Sequence, residues 1–257
     1  MKKLSIILWL GLIIDLIAIG GFFYYLQSQQ ATLNGLDYQE QEVFKELYPI
    51  AQLIAIAIAI QAVSVLLLFV HKKLALFLAM LSGFITLPVG CVYIIGFLMS
   101  YNNLRFAELP LFNSANKKQL SPYLHFRQER FYLVAAILGV AAVVQFSIFS
   151  ITASMGVLLV VAAIVSAING IRLTNRPVLG IYGDQLVITP SLFSKTYQVG
   201  CEQVAMKKKG EKTISFIIQT HSLKEMVNIK RDLIRTSDDH ADIEEIEKKL
   251  TQQGAIE

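Results

Sequence analysis

The chain has 257 residues, 54% hydrophobic and only 16% charged, with a mean hydropathy of +0.54. That balance excludes an ordinary soluble domain and describes a polytopic membrane protein. More than half of the basic and of the acidic residues lie after Gly170, where they nearly cancel, so the net charge of +4 makes no case for nucleic acid.

Residues 4–26 form a first apolar run. It is too long for the core of a signal peptide and carries Asp15, and its one small-x-small pattern, Ala18-Ile19-Gly20, leads into further apolar residues. The reading is an uncleaved first span. Residues 27–48 make a polar loop, and 49–70 a second span closed by His71-Lys72-Lys73. The uncharged run 74–101 is long for one crossing and short for two, since one crossing takes about 20 apolar residues. In its middle Pro88 removes an amide donor and Gly90 tolerates unusual dihedrals, which predicts a helical hairpin of two short spans, 74–87 and 89–101. This lysine-flanked pattern is similar to the last helix pair of many small four-span bacterial membrane proteins. Residues 102–130 are hydrophilic, with Arg105, Lys117, Lys118, Arg127 and Arg130, and read as a cytoplasmic linker. Two further spans, 131–150 and 152–171, make a second hairpin within 131–171.

Basic residues in short flanking loops stay cytoplasmic. If 74–101 crosses once, the five basic residues of 102–130 lie outside. If it turns back, every basic cluster lies inside, with both termini cytoplasmic. Parity therefore predicts about six transmembrane helices in a cell inner membrane of bacterial type.

From residue 172 the apolar period changes to two. Short β-type runs lie at 178–182 and 185–189 around Gly183-Asp184, a good hairpin dipeptide, and at 196–199, 203–208 and 213–219, while 225–229 reads as one more strand or as helix. A closing helix has Ile243, Ile246 and Leu250 on one face, with Ser237 or Asp238 as its cap. The fold class is thus an α-helical membrane protein with a β-rich module over 172–257 that ends in an amphipathic helix.

The stretch NGIRLTNRPVLGIYGDQLVI, residues 169–188, runs from an apolar hairpin into a β-turn-β unit. It resembles the bacterial membrane-tethered PH-like domain proteins, over about 120–252. The resemblance implies a pleckstrin-homology-like sheet with a final helix, and a first strand supplied by YLHFRQER, residues 123–130. It implies no catalytic residue.

Asp15 is the sharpest single signal. An ionisable group at mid-span costs at least ~2.5 kcal/mol and normally faces the bundle interior. Gln61 lies at similar depth in the second span, so the two form an intramembrane polar pair: a protonated Asp15 fastening two helices, or a midplane site in a transporter. Lys207, Lys208, Lys209 and Lys212 are the densest basic cluster and make a candidate contact for anionic lipid headgroups. Cys91 and Cys201 have no metal or redox spacing, the four histidines are scattered, and no phosphate loop or nucleophile motif occurs. The expectation is a non-enzymatic binding or scaffold protein, without cofactor or metal. Its partners are the bilayer, anionic headgroups or a membrane protein; the competing class is a small-molecule or ion transporter that uses Asp15.

Overall fold

The computed structural model describes residues 4–30, 38–148, 153–210, 212–221, 223–234 and 239–252. It divides into two compact units, Met1–Leu104 and Arg105–Glu257.

The first unit is helical. α1 (Ile6–Gln30) and α2 (Tyr38–Leu67) run antiparallel, with Phe23 meeting Tyr48 at 6.3 Å near one end. At the other end Leu8 and Leu12 share a buried cluster with Val65 and Leu68. α2 begins well before the predicted span and carries Pro49 inside it. Residues 38–45 are rich in Glu and Gln, good helix formers, so the helix extends into the stretch read as loop. Two shorter helices follow, α3 (Lys72–Ile85) and α4 (Cys91–Arg105).

The expectation of six crossings is not supported. Among the described residues four helical segments are long and apolar enough to span: Ile6–Ser28, Glu46–Leu67, Gln128–Ser147 and Gly156–Leu173. α3 and α4 have 14 and 15 residues. At ~1.5 Å per residue each is about 21–23 Å long, short of a hydrocarbon core of roughly 30 Å. They still form a hairpin: Lys72 Nζ, at the start of α3, donates to the carbonyl of Leu104, at the end of α4, at 3.3 Å.

α4 packs on α1 backbone to backbone. A Cβ on Gly96 would strike the Leu8 backbone, and one on Gly11 the Tyr93 backbone. Ser5 N donates to Ser100 Oγ at 2.9 Å, which extends the same antiparallel register. Continued by one helical turn, this register sets the Thr86–Gly90 bend level with Asp15, in the first half of the 25-residue α1. The hairpin covers only half of α1.

The second unit joins α5 (Gln128–Ile148) and α6 (Ala153–Leu173) to two antiparallel sheets. In the apolar window of α5 only 6% of residues are buried, so its Ile137, Val140 and Val143 require an apolar surrounding. One sheet has the order β1 (Tyr123–His125), β2 (Pro177–Tyr182), β3 (Gln185–Ile188) and β4 (Tyr197–Gly200). The other has β5 (Val204–Lys209), β6 (Thr213–Gln219) and β7 (Lys224–Lys230). Only three residues of the 123–130 stretch are extended; Gln128–Arg130 already belong to α5. Gly183 has φ +58°, and the two-residue turn it opens requires that left-handed backbone. α7 (Asp239–Gln252) buries Ile243, Ile246 and Leu250 in a core shared with both sheets. The expected caps Ser237 and Asp238 lie outside the described residues.

Two acids sit in this core, Cys201 beneath α7 and Tyr197 beside Phe106. Burial, with Glu202 and Asp184 nearby, pushes the Cys201 thiol up to about 11, and burial pushes Tyr197 up to about 12. Folding favours their neutral forms, so their contribution is whole below the ordinary values of 9.0 and 10.0. It is lost as pH rises through the raised ones. The calorimetric unfolding midpoint of the β-rich module, in detergent-solubilised full-length protein, should fall above pH ~9. In Cys201→Ala the fall should begin about one unit higher.

Candidate functional site

The α3–α4 bend gathers polar side chains from three helices. Gln61 Nε2 donates to Thr86 Oγ1 at 2.9 Å, and Thr86 Oγ1 donates to the Gly83 carbonyl at 3.2 Å. Ser64 Oγ donates to the Gln61 carbonyl at 2.7 Å, and Tyr93 Oη reaches the same carbonyl at 3.0 Å. The Ser64 and Tyr93 hydroxyls also bond to each other. Asp15 completes the group, 2% exposed, against a fully buried Gln61.

The predicted pair is therefore brought together, inside a larger cluster. Asp15 Oδ1 and Oδ2 and Gln61 Oε1 are buried without a hydrogen-bond partner, although Gln61 is the side chain that acts on Asp15. Three acceptor atoms with no donor define the chemistry. The expected fastening, a protonated Asp15 that donates to Gln61 Oε1, would satisfy two of the three. Thr86, Ser64 and Tyr93 escape sequence reasoning because each is ordinary in an apolar helix. Only the register of α3 and α4 against α2 brings them to Gln61.

Pro88 and Gly90 lie in the bend between α3 and α4. Gly90 packs where a Cβ would collide with Thr86 Oγ1 and the Gly83 carbonyl, so close approach, rather than unusual dihedrals, explains it.

The lysine cluster lies at the β5–β6 hairpin. Lys207 and Lys212 are exposed, and the side chains of Lys208 and Lys209 lie outside the described residues. The fold also assembles a second basic group that no sequence run marks. Lys117, Arg172, Arg176 and Lys195 line one cavity at the foot of α6. They are scattered over the chain, and only Arg172 and Arg176, one turn apart after an apolar helix, carry any local signal.

No protein-family model, curated protein or solved structure matches the chain.

The Gly11 and Gly96 contacts hold the bend in place. Gly96→Leu should force α4 off α1 and cost about 1–3 kcal/mol, as overpacking does. Gly139→Leu should be near neutral, because nothing lies within 4 Å of the point where its Cβ would stand. Detergent-resistance half-lives of the two variants check this.

Proposed function

We propose that this is a non-enzymatic, membrane-anchored binding protein of a bacterial-type inner membrane, whose PH-like module engages anionic headgroups or a partner protein at the cytoplasmic surface. One observation carries the reading: the sheet is fused directly to both ends of the α5–α6 hairpin. Phe126 and Arg127 alone separate β1 from α5, and Thr174–Arg176 alone separate α6 from β2. β1 and β2 then pair, Leu124 opposite Leu179. With α5 and α6 in the bilayer, a module tied at both strands stays beside the headgroups. Four and three antiparallel strands in chain order, followed by a closing helix, support the PH-like reading.

Crossing by α1, α2, α5 and α6, with α3–α4 as a re-entrant hairpin, keeps the parity of the six-span expectation. Lys72, Arg105, Arg130 and Arg172 remain cytoplasmic, as basic flanks prefer. Helices of 14 and 15 residues suit a re-entrant pair better than two spans. Against transport stands Asp15, sealed among Gln61 and its neighbours.

Reporter fusions at Asn116 and after Glu257 should be active as cytoplasmic fusions, and one at Asn34 as an external fusion. An external signal after Glu257 overturns the topology, and with it the cytoplasmic module.

Asp15 separates binding from transport. Asn can donate to Gln61 but cannot ionise, so Asp15→Asn should insert, fold and leave any cellular phenotype intact. Asp15→Leu should lose ~0.6 kcal/mol, a typical interhelical hydrogen bond. A stable Asp15→Asn protein that behaves as a null would transfer the case to a proton- or ion-linked transporter.

A further inference from the structure

The last turn of α6 carries Arg172, at the edge of a segment long enough to span. Three more cations meet it from separate elements. Arg176 comes from the connection to β2, Lys195 from the β3–β4 connection, and Lys117 from the 3-10 turn at Ser114–Gln119. With Asn175 and Thr196 they line an open cavity of about 370 Å³ whose lining holds no Asp or Glu.

Three of the four cations are oriented, Lys195 is exposed, and none is neutralised by an ion pair among the described residues. The Arg172 guanidinium lies over the Phe193 ring at 5.6 Å, and Lys117 Nζ lies 5.8 Å from the centre of the Tyr123 ring. Arg176 Nη1 donates to the Ser194 carbonyl at 3.0 Å. Arg172 Nε and Nη2 are buried without a hydrogen-bond partner. Among the described residues no ion pair reaches any of the four. Burial also holds Arg176 below the ordinary arginine range.

Such an arrangement is unfavourable for the fold by itself. Like charges gathered in a partly desolvated recess repel, and a buried N–H without an acceptor forfeits its hydration. Arginines needed only for solubility would snorkel their heads into water. The fork of Arg172 and the neighbouring charges instead suit an acceptor with several oxygens and negative charge, for which arginine geometry is well matched.

We propose that this cavity is a binding site for a phosphate group, with Arg172 and Arg176 supplying the forked contacts and Lys117 and Lys195 the surrounding charge. It is separate from the Lys207–Lys212 hairpin. The phosphate belongs to a lipid headgroup or is free in solution. The foot of a spanning helix favours the lipid source, and that preference alone rests on the membrane-surface reading above.

The test uses the full chain in neutral detergent. Its unfolding midpoint is followed on adding inorganic phosphate, against chloride at equal ionic strength, and on adding short-chain phosphatidic acid, against a neutral glycolipid of the same chains. Phosphatidic acid should raise the midpoint and bind at least about tenfold more tightly than the glycolipid. Lys117→Ala/Lys195→Ala, and Arg176→Gln, should each weaken this about tenfold or more; Lys207→Ala/Lys212→Ala should leave it unchanged. Arg172→Gln should abolish it, and if that variant fails to fold, the lysine pair decides.

A shift with inorganic phosphate alone, lost in the same variants, supports the site and makes the free anion its ligand. Absence of any shift with either phosphate probe, or unchanged binding in Lys117→Ala/Lys195→Ala, overturns the site. Lipid binding lost only in the Lys207→Ala/Lys212→Ala variant also overturns it, while leaving the membrane-surface reading standing. Failure of that reading is distinguishable, because it appears in the fusions and not in the inorganic-phosphate arm.

Discussion

A chain that enters hydrocarbon must carry its backbone polar groups already paired, and a bend in mid-bilayer is the hardest place to do so. At Thr86–Gly90 the pairing is almost entirely local. Thr86 N bonds Ser82 O, Leu87 N bonds Phe84 O, Gly90 N bonds Thr86 O, and Cys91 N bonds Pro88 O. Pro88 has no amide to satisfy, so a proline here removes a demand as well as stopping the helix. Thr86 Oγ1 takes the Gly83 carbonyl and is itself held by Gln61. Non-helical backbone in hydrocarbon is tolerated where protein covers it. Close packing of α4 on α1, through Gly11 and Gly96, gives that cover. The polar cluster and the bend are thus one structure, and Asp15 belongs to its walls.

How far this is legible in the sequence differs between its parts. The turn at Pro88 and Gly90, and the return of the chain beside Lys72, are readable because charge, proline and glycine each mark a position. How far along α1 the turn reaches is not. Hydropathy counts apolar residues, and the uncharged run 74–101 fills two short helices as readily as it overfills one crossing. What decides that is the register of α4 on α1, set by Leu8, Gly11, Tyr93 and Gly96, and no local pattern encodes that pairing. The polar stretch before Pro49 reads as loop for a related reason. A segment rich in Glu and Gln is as good a helix as an apolar one once a neighbouring helix has nucleated it.

In the β-rich module the alternation of Ile214, Phe216 and Ile218 and the Gly183-Asp184 turn mark strands and a hairpin directly. All three of those apolar residues are buried. The start of the module is harder to place. β1 has three residues and gains its identity only by pairing with β2, far along the chain. Such short strands carry too little pattern to be read alone.

The two basic features show why a visible charge run is a weaker guide than a dispersed one. Lys207 and Lys212 are exposed on a hairpin, where water and salt screen them over roughly 10 Å. Each can add attraction to an anionic surface, about 1 kcal/mol, but the geometry selects no particular group. Lys117, Arg172, Arg176 and Lys195 come from three separate parts of the sequence, yet the fold assembles them around one recess, with Lys117, Arg172 and Arg176 half-buried and Lys195 exposed. Gathering them there opposes folding unless an anion offsets the repulsion. Because that cost would be avoided by spreading the charges apart, the assembly itself is the argument for a ligand. Arg172 sharpens it. A cation in the last turn of a helix is favoured by the helix dipole, but that benefit needs only proximity to the free carbonyls and does not require Nε and Nη2 to be buried unpaired. Their burial answers to the cavity beside them, not to the helix end.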